Sequence, residues 1–156
     1  MTGATSVPTR EDMHAFGRRL ASVLRAGDLV VLSGALGAGK TTLTQGLASG
    51  LDVRGDVTSP TFVIARVHPP VGDGPALVHA DAYRLGSRLE LDDLDLDASL
   101  DDAVTVVEWG EGLVEGLSDN RLVIELERSG DESDERFVAV HGVGPRWDGV
   151  AIPGTD

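Results

Sequence analysis

The sequence predicts an α/β fold in which a mainly parallel β-sheet is flanked by helices and extended by an antiparallel hairpin. Short apolar runs recur along the chain, and two of them end directly at an acidic residue. A glycine-rich segment joins the first strand-like run to a stretch with helical spacing. Near the end of the chain, two strand-like segments flank a polar turn. A parallel core with a hairpin at its side accounts for all three patterns.

Two helices and a buried strand are predicted in the first third of the chain. Thr9 has the residue type and position of a helix N-cap, and apolar residues follow it at helical spacing (Met13, Phe16, Leu20 and Val23/Leu24). Leu29–Ser33 is a short apolar run followed by a turn signal, which indicates a buried strand. From Lys40 onward apolar residues share one helical face, and Gly50 is expected to help end that second helix.

Five further strands are predicted: Phe62–Val67, Ala76–Ala80, Ala103–Val107, Arg121–Glu127 and Arg136–His141. The last two are expected to form the hairpin. Residues 1–142 are predicted to form one domain, and residues 143–156 a flexible tail, part of which Trp147 could hold in place.

Composition excludes several kinds of protein. The absence of cysteine rules out disulfides, thiolate metal sites and cysteine nucleophiles. The first ten residues lack the layout of a secretory signal, and no apolar run approaches the ~20 residues that cross a bilayer. A cytoplasmic location without membrane contact is therefore expected. The formal charge of −13 disfavours a direct grip on nucleic acid, so any such role requires a more basic partner.

The glycine-rich segment Gly34–Thr41 matches the phosphate-binding pattern G-x-x-x-x-G-K-[ST], between a predicted strand and a predicted helix. Glycines let several backbone N–H groups point towards phosphate oxygens, and the helix presents its positive end to the same anion. Lys40 supplies a compact charge for the β and γ phosphates, and Thr41 a hydroxyl for Mg²⁺. Lys40 is the only lysine among 13 basic residues. The motif predicts a P-loop NTPase-like fold that binds ATP and Mg²⁺.

Two acids at predicted strand ends, Asp81 and Glu108, are candidates for the catalytic chemistry. One would ligate Mg²⁺ directly or through water, while the other would orient or deprotonate the attacking water. His79 shares a strand face with Asp81 and is a candidate to orient it, although a purely structural histidine fits equally well. Thr61 lies where P-loop switches carry a threonine that senses the γ-phosphate, but an ordinary Ser-Pro turn is the alternative.

Four segments stand in order along the chain: GALGAGKTT (Gly34–Thr42), SPTF (Ser59–Phe62), HADAYRL (His79–Leu85) and EWGE (Glu108–Glu111). In this order and at this spacing they resemble the bacterial TsaE (YjeE) family, the ATPase of tRNA threonylcarbamoyladenosine biosynthesis. The resemblance implies an ATPase that works with two partners, TsaB and TsaD. In that family TsaD carries the transfer of threonylcarbamoyl to the adenosine beside the anticodon, and TsaE supports turnover by hydrolysing ATP.

The resemblance also implies roles for particular residues. The phosphates would be held by Gly37, Ala38, Gly39, Lys40, Thr41 and Thr42. Thr41 and Glu108 would bind Mg²⁺, and Asp81 would be needed for hydrolysis. Weaker matches place Thr9, Glu111 and Arg136 near the nucleotide. This chain has Gly110 where family members often have proline after the Glu-Trp pair.

Two other functions fit a phosphate-binding loop. A small nucleoside or nucleotide kinase would need an acceptor pocket and an arginine-rich lid, and no segment clusters arginines in that way. An adaptor that binds ATP without hydrolysing it would use the nucleotide only to organise an interface. A GTPase is disfavoured, because its guanine-reading N-K-x-D needs a second lysine.

Overall fold

The computed structural model describes residues 4–34, 39–53, 65–72, 74–81, 103–108, 120–128, 136–150 and 152. These residues form one seven-stranded sheet with two α-helices. The strands are β1 (Ala4–Val7), β2 (Leu29–Ser33), β3 (Ala65–His68), β4 (Ala76–Asp81), β5 (Ala103–Glu108), β6 (Arg121–Arg128) and β7 (Arg136–Val143); the helices are α1 (Arg10–Ala21) and α2 (Lys40–Leu51). The predicted α/β class is confirmed.

The sheet is parallel at its centre and antiparallel at both sides. Its strand order is β1-β7-β6-β2-β5-β4-β3. Strand β2 pairs in parallel with both β5 and β6, and β5 pairs in parallel with β4. The hairpin of β6 and β7, the pair of β1 with β7 and the pair of β3 with β4 are antiparallel. The predicted hairpin is thus confirmed, and antiparallel pairing is more extensive than expected.

The central strands are apolar because they are buried on both faces, as parallel strands in α/β proteins usually are. All six residues of β5 are buried. On one face of the sheet, Val30, Leu32, Val104 and Val106 share a single core with the apolar residues of the two helices. Both helices are therefore anchored to the same face.

Glycines from the two helices meet where the helices cross, which lets the two backbones approach each other directly. A Cβ on Gly17 of α1 would come within 2.4 Å of the Leu43 carbonyl oxygen, and one on Gly46 of α2 within 2.2 Å of the His14 carbonyl oxygen. Neither glycine leaves room for a side chain. The close crossing fixes α2 against α1 and so fixes where α2 begins.

Gly50 does not end α2. The helix continues to Leu51 and is terminated by Asp52, which takes a left-handed conformation with φ 59° and donates its N–H to the last carbonyls. Gly50 instead packs against Ala21 and the backbone of Arg18 in α1. It is a helix-contact residue rather than a stop signal.

Within the predicted tail, residues 143–150 form local structure, and Trp147 holds this part of the chain to the core as the sequence suggested. Strand β7 extends to Val143, and a 3₁₀ turn at Pro145–Trp147 follows it. Trp147 and Ile152 are buried and belong to the main core. Arg146 bonds to Asp28, which precedes β2. Glycine and proline here make a tight turn that returns the chain to the core.

Candidate functional site

The candidate residues meet at the edge of the sheet where the parallel strands end. Glu108, the last residue of β5, lies in register with Leu32 of β2 on one side and with Asp81 of β4 on the other. Gly34 follows β2 directly, so the glycine-rich segment starts beside Glu108. In open α/β sheets, ligands bind outside this carboxyl edge. In this protein the carboxyl edge is the edge of the sheet at which β2, β4 and β5 end.

The turn into α2 requires glycine. Gly39 is the residue before the helix and has a φ of 103°, in the left-handed region that residues with a Cβ rarely adopt. A Cβ on Gly39 would also meet the Met13 side chain at 3.0 Å. Gly39 therefore sets the angle at which α2 leaves the loop. Gly37 and Ala38, two of the predicted phosphate-binding residues, lie outside the described residues.

Lys40 is the first residue of α2, and it is buried, with 7% of its surface exposed. Its Nζ donates to the carbonyl oxygen of Gly34 at 2.5 Å, which ties the start of the helix to the end of β2. This contact positions the ammonium group at the first turn of α2. The positive end of α2 adds to the same field. Thr41 and Thr42 follow in the first helical turn and are half-buried.

Glu108 is also buried, with 5% of its surface exposed, and its partner is His79. His79 Nε2 lies 2.5 Å from Glu108 Oε2, and none of the His79 surface is exposed. Because His79 lies in register with Val106, the contact runs diagonally across the two strands. The sequence pattern alone favours Asp81 as the acid that His79 could orient. The structure gives His79 a different acid.

Asp81 ends β4 in register with Glu108, so the two backbones are neighbours at the carboxyl edge. Its side chain is outside what the structure describes. The sequence places both acids at strand ends, and the parallel pairing of β4 with β5 brings them side by side.

Thr9 and Arg136 also belong to the carboxyl edge, by topology. Arg136 begins β7 in register with Val7, the last residue of β1, and Thr9 follows two residues later. Two strand spacings, about 10 Å, separate β7 from β2. Thr9 has the predicted capping role, because its Oγ1 accepts the Asp12 N–H at 3.1 Å. Thr61 and Glu111 fall outside the described residues.

The donor atoms at this edge suit Mg²⁺, which prefers oxygen ligands and usually keeps only one or two from protein. Within the described ranges, no three His, Cys, Asp or Glu side chains are grouped closely enough to hold a metal by themselves. A threonine hydroxyl and a carboxylate are ligands that Mg²⁺ can use beside phosphate oxygens and water. Thr41 and Glu108 are the residues that could supply them.

Comparisons with known proteins bear on the whole chain. The family model described as threonylcarbamoyl adenosine biosynthesis protein TsaE matches residues 7–138. The chain belongs to the TsaE family. A relative named tRNA threonylcarbamoyladenosine biosynthesis protein TsaE, from Streptomyces coelicolor, is 67% identical over 138 residues, which cover 86% of this chain and 93% of the relative. A relative of the same name from Bacillus subtilis is 39% identical and is covered over 84% of its length.

A solved structure agrees with the sequence comparison. The crystal structure of YdiB from Bacillus subtilis superposes with a TM-score of 0.73 at 33% identity, covering 95% of this chain and 91% of that one. The resemblance inferred from the four segments is thus confirmed at the level of the family. Among the helices that the structure describes, none is long and apolar enough to cross a membrane.

Two features of the site were not found from the sequence. The Gly34 carbonyl that holds Lys40 belongs to the backbone, which carries no residue signature. The His79–Glu108 contact joins residues 29 positions apart, and it depends on strand register. The sequence signal for this contact is that His79 lies two residues before the acid that ends its strand, on the same strand face as that acid.

Proposed function

We propose that this member of the TsaE family has a P-loop NTPase-like fold, binds ATP with Mg²⁺ at the carboxyl edge, and hydrolyses it in support of tRNA threonylcarbamoyladenosine biosynthesis. One observation carries the proposal. The sole lysine is buried at the first turn of α2 and bonded to Gly34, one strand away from a buried carboxylate. A buried ammonium group beside a helix N-terminus favours a polyanion such as a triphosphate.

The roles of the residues follow from their chemistry. Lys40 would neutralise the β and γ phosphates, with the backbone N–H groups of Gly37–Thr42 around them. Mg²⁺, held by Thr41 and Glu108, would draw charge from the transferring phosphoryl group. Asp81 would be the acid that orients the attacking water. Glu108 and Asp81 are neighbours, so the alternative mechanism is one in which Asp81 binds Mg²⁺ and Glu108 orients the water. Mutagenesis must distinguish these two assignments.

The partners that we propose are proteins similar to TsaB and TsaD. The formal charge of −13 supports this arrangement, because such a chain repels the phosphate backbone of tRNA. The tRNA would then be held by the partners, and the nucleotide state of this chain would control the complex. Hydrolysis is expected to be slow alone and faster in the complex.

Calorimetry with ATP and Mg²⁺ tests the binding step. Lys40→Ala should weaken ATP binding by about 10- to 150-fold or more, because a hydrogen bond to a charged group contributes about 1.5–3 kcal/mol. Arg25→Ala is the matched control. It removes one positive charge at the opposite edge of the sheet, from an exposed side chain, and should bind ATP as the unaltered protein does. Equal affinities for Lys40→Ala and the unaltered protein would refute the site.

Phosphate release, measured with and without purified TsaB and TsaD, tests the reaction. Release that rises in the complex and disappears with Lys40→Ala is the expected result. Transfer of labelled γ-phosphate to a nucleoside would instead identify a kinase. Tight ATP binding with no release, even in the complex, would identify an adaptor.

A further inference from the structure

In the His79–Glu108 pair, only one of the two ring nitrogens of His79 has a hydrogen-bond partner among the described residues. Both side chains are buried, His79 completely. One ring nitrogen, Nε2, contacts Glu108 Oε2. The other ring nitrogen, Nδ1, is buried and has no hydrogen-bond partner among the residues that the structure describes. Most buried polar atoms in proteins are hydrogen-bonded, and leaving one without a partner costs stability.

That cost argues against a histidine retained only for packing. A leucine would fill much of the same space in this apolar region without leaving a polar atom unsatisfied. The contact with Glu108 is what an imidazole adds there. It also determines the tautomer, since a carboxylate accepts and therefore requires the proton to be on Nε2.

The contact leaves Glu108 with a defined free end. A carboxylate can accept at both oxygens, and Oε2 is engaged by His79. Oε1 has no hydrogen bond to any described residue, so it is available to a cation. A side chain held at one oxygen cannot rotate freely, and this fixes the direction in which the other oxygen points.

We propose that His79 is a positioning residue that orients Glu108 so that Oε1 faces the Mg²⁺ bound with ATP. This inference rests on the proposed function, and it adds a residue to which neither the motif nor the family resemblance assigned that role. Partners that hydrogen-bond a metal ligand in this way typically change metal affinity or activity by about 10- to 100-fold when removed. His79 itself touches neither nucleotide nor metal in this arrangement.

Two amide substitutions separate positioning from packing. In His79→Gln the amide nitrogen reaches about as far as Nε2, so it can still donate to Glu108. In His79→Asn the same group is one methylene shorter and falls near the position of Nδ1. Both variants bury one polar amide, so their effects on folding should be alike. His79→Leu removes the donor altogether.

The main readout is metal binding rather than activity. Mn²⁺ serves as the probe, and its affinity for the ATP-loaded protein is measured by electron paramagnetic resonance. We expect His79→Asn and His79→Leu to weaken Mn²⁺ binding by about 10- to 100-fold, and His79→Gln to stay within about threefold of the unaltered protein. ATP binding without divalent metal should be unchanged in all three variants.

Thermal unfolding and a second buried histidine provide the controls. His68 is buried on β3 and lies in register with Leu77, at the opposite edge from Glu108. His68→Asn should therefore leave Mn²⁺ affinity unchanged, whatever it does to the unfolding temperature. Should His79→Leu fail to fold, the comparison of His79→Gln with His79→Asn decides the question alone.

Three results distinguish the possible failures. Equal Mn²⁺ affinities for His79→Gln and His79→Asn, whether both unchanged or both weakened, would overturn the positioning role. If Glu108→Gln weakens Mn²⁺ binding while the His79 variants do not, the site stands and only this inference fails. If the unaltered protein binds no ATP with Mg²⁺ or Mn²⁺, the proposed function itself fails.

Discussion

The two edges of the central sheet each hold a buried pair of polar side chains, and the two pairs differ in how completely they are satisfied. At the edge where β2 begins, Asp28 pairs with Arg146 from the end of the chain. Asp28 Oδ1 accepts from Arg146 Nε at 2.9 Å, and Oδ2 accepts from Nη2 at 3.0 Å. The Arg25 N–H also donates to Oδ2 at 2.8 Å.

Arg146 also makes hydrogen bonds outside this pair. Its Nη2 also donates to the Val23 carbonyl oxygen at 2.8 Å, and its backbone N–H to Asn120 Oδ1 at 2.9 Å. The guanidinium lies over the Trp147 ring, 4.2 Å from its centroid. These bonds tie the 3₁₀ turn at Pro145–Trp147 to the loop before β2. We call the pair Asp28–Arg146 the amino-edge pair.

The His79–Glu108 pair at the carboxyl edge is more deeply buried but less completely hydrogen-bonded. Among the described residues it makes one hydrogen bond, and it leaves His79 Nδ1 buried without one. In the amino-edge pair both carboxylate oxygens of Asp28 are bonded within the protein, so this pair serves to fix structure. An incompletely bonded pair in a protein interior is costly, and such sites are commonly functional. The difference predicts that the two pairs respond oppositely to mutation.

The largest expected effect is on turnover at the carboxyl edge. Glu108→Ala and Glu108→Gln should both lower the rate of ATP hydrolysis by at least about a thousandfold, because metal-borne stabilisation of transition-state charge is worth several kcal/mol. Both should keep much of the affinity for ATP. Glu108→Gln retains an oxygen that can accept from His79, so its unfolding free energy should stay near that of the unaltered protein. Normal hydrolysis by either variant would show that Glu108 is not the metal ligand.

Replacing a carboxylate by an amide at the amino edge is expected to lower stability rather than turnover. Asp28→Asn leaves the Arg146 guanidinium partly buried without its counter-charge, and it should lower the free energy of unfolding by about 3 kcal/mol. Urea unfolding measures this, with Asp148→Asn as the control because Asp148 is exposed. ATP hydrolysis by the folded fraction should be normal. A folded Asp28→Asn protein that no longer binds ATP would mean that the two edges are coupled.

The smallest expected effects come from alanine at three glycines. They distinguish a loss of stability through backbone strain from a loss of ATP affinity. Gly39 and Gly149 both have positive φ, 103° and 75°, so alanine at either position should cost about 1–2 kcal/mol of stability. Only Gly39→Ala should also weaken ATP binding, because Gly39 sets the direction of the first N–H groups of α2. Gly72→Ala, at an exposed glycine with no atom near its Cβ position and no positive φ, should be neutral. Equal ATP affinities for all three variants would contradict the role of Gly39.

Local features of the fold were predictable from the sequence because they depend on residues that are close in the chain. The Thr9 cap is a bond to an N–H three residues away. The buried strands follow from their apolar runs, and the start of α2 follows from a glycine before a helical pattern. The candidate site was predictable to the same extent, since Lys40, Thr41 and Glu108 each carry a local signature.

Several elements were not predictable, and each one depends on distant partners. Strand β1 has only four residues and no alternating pattern, and it exists through its pairing with β7. Glycine is typical of a helix end, yet Gly50 serves as a contact with the other helix, α1. The last turn was expected to be loose because of its glycine and proline content, and it is held by a contact with Asp28, 118 residues away.

The sequence by itself determined the family, the α/β class, the glycine-rich segment before α2 and the acids at the strand ends. All of these are set by short motifs or by periodicity within one element. Only the tertiary structure decided that His79 contacts Glu108 and that the last turn packs on the core. Strand register and chain return are set by packing between elements far apart in sequence, and a local pattern does not encode them.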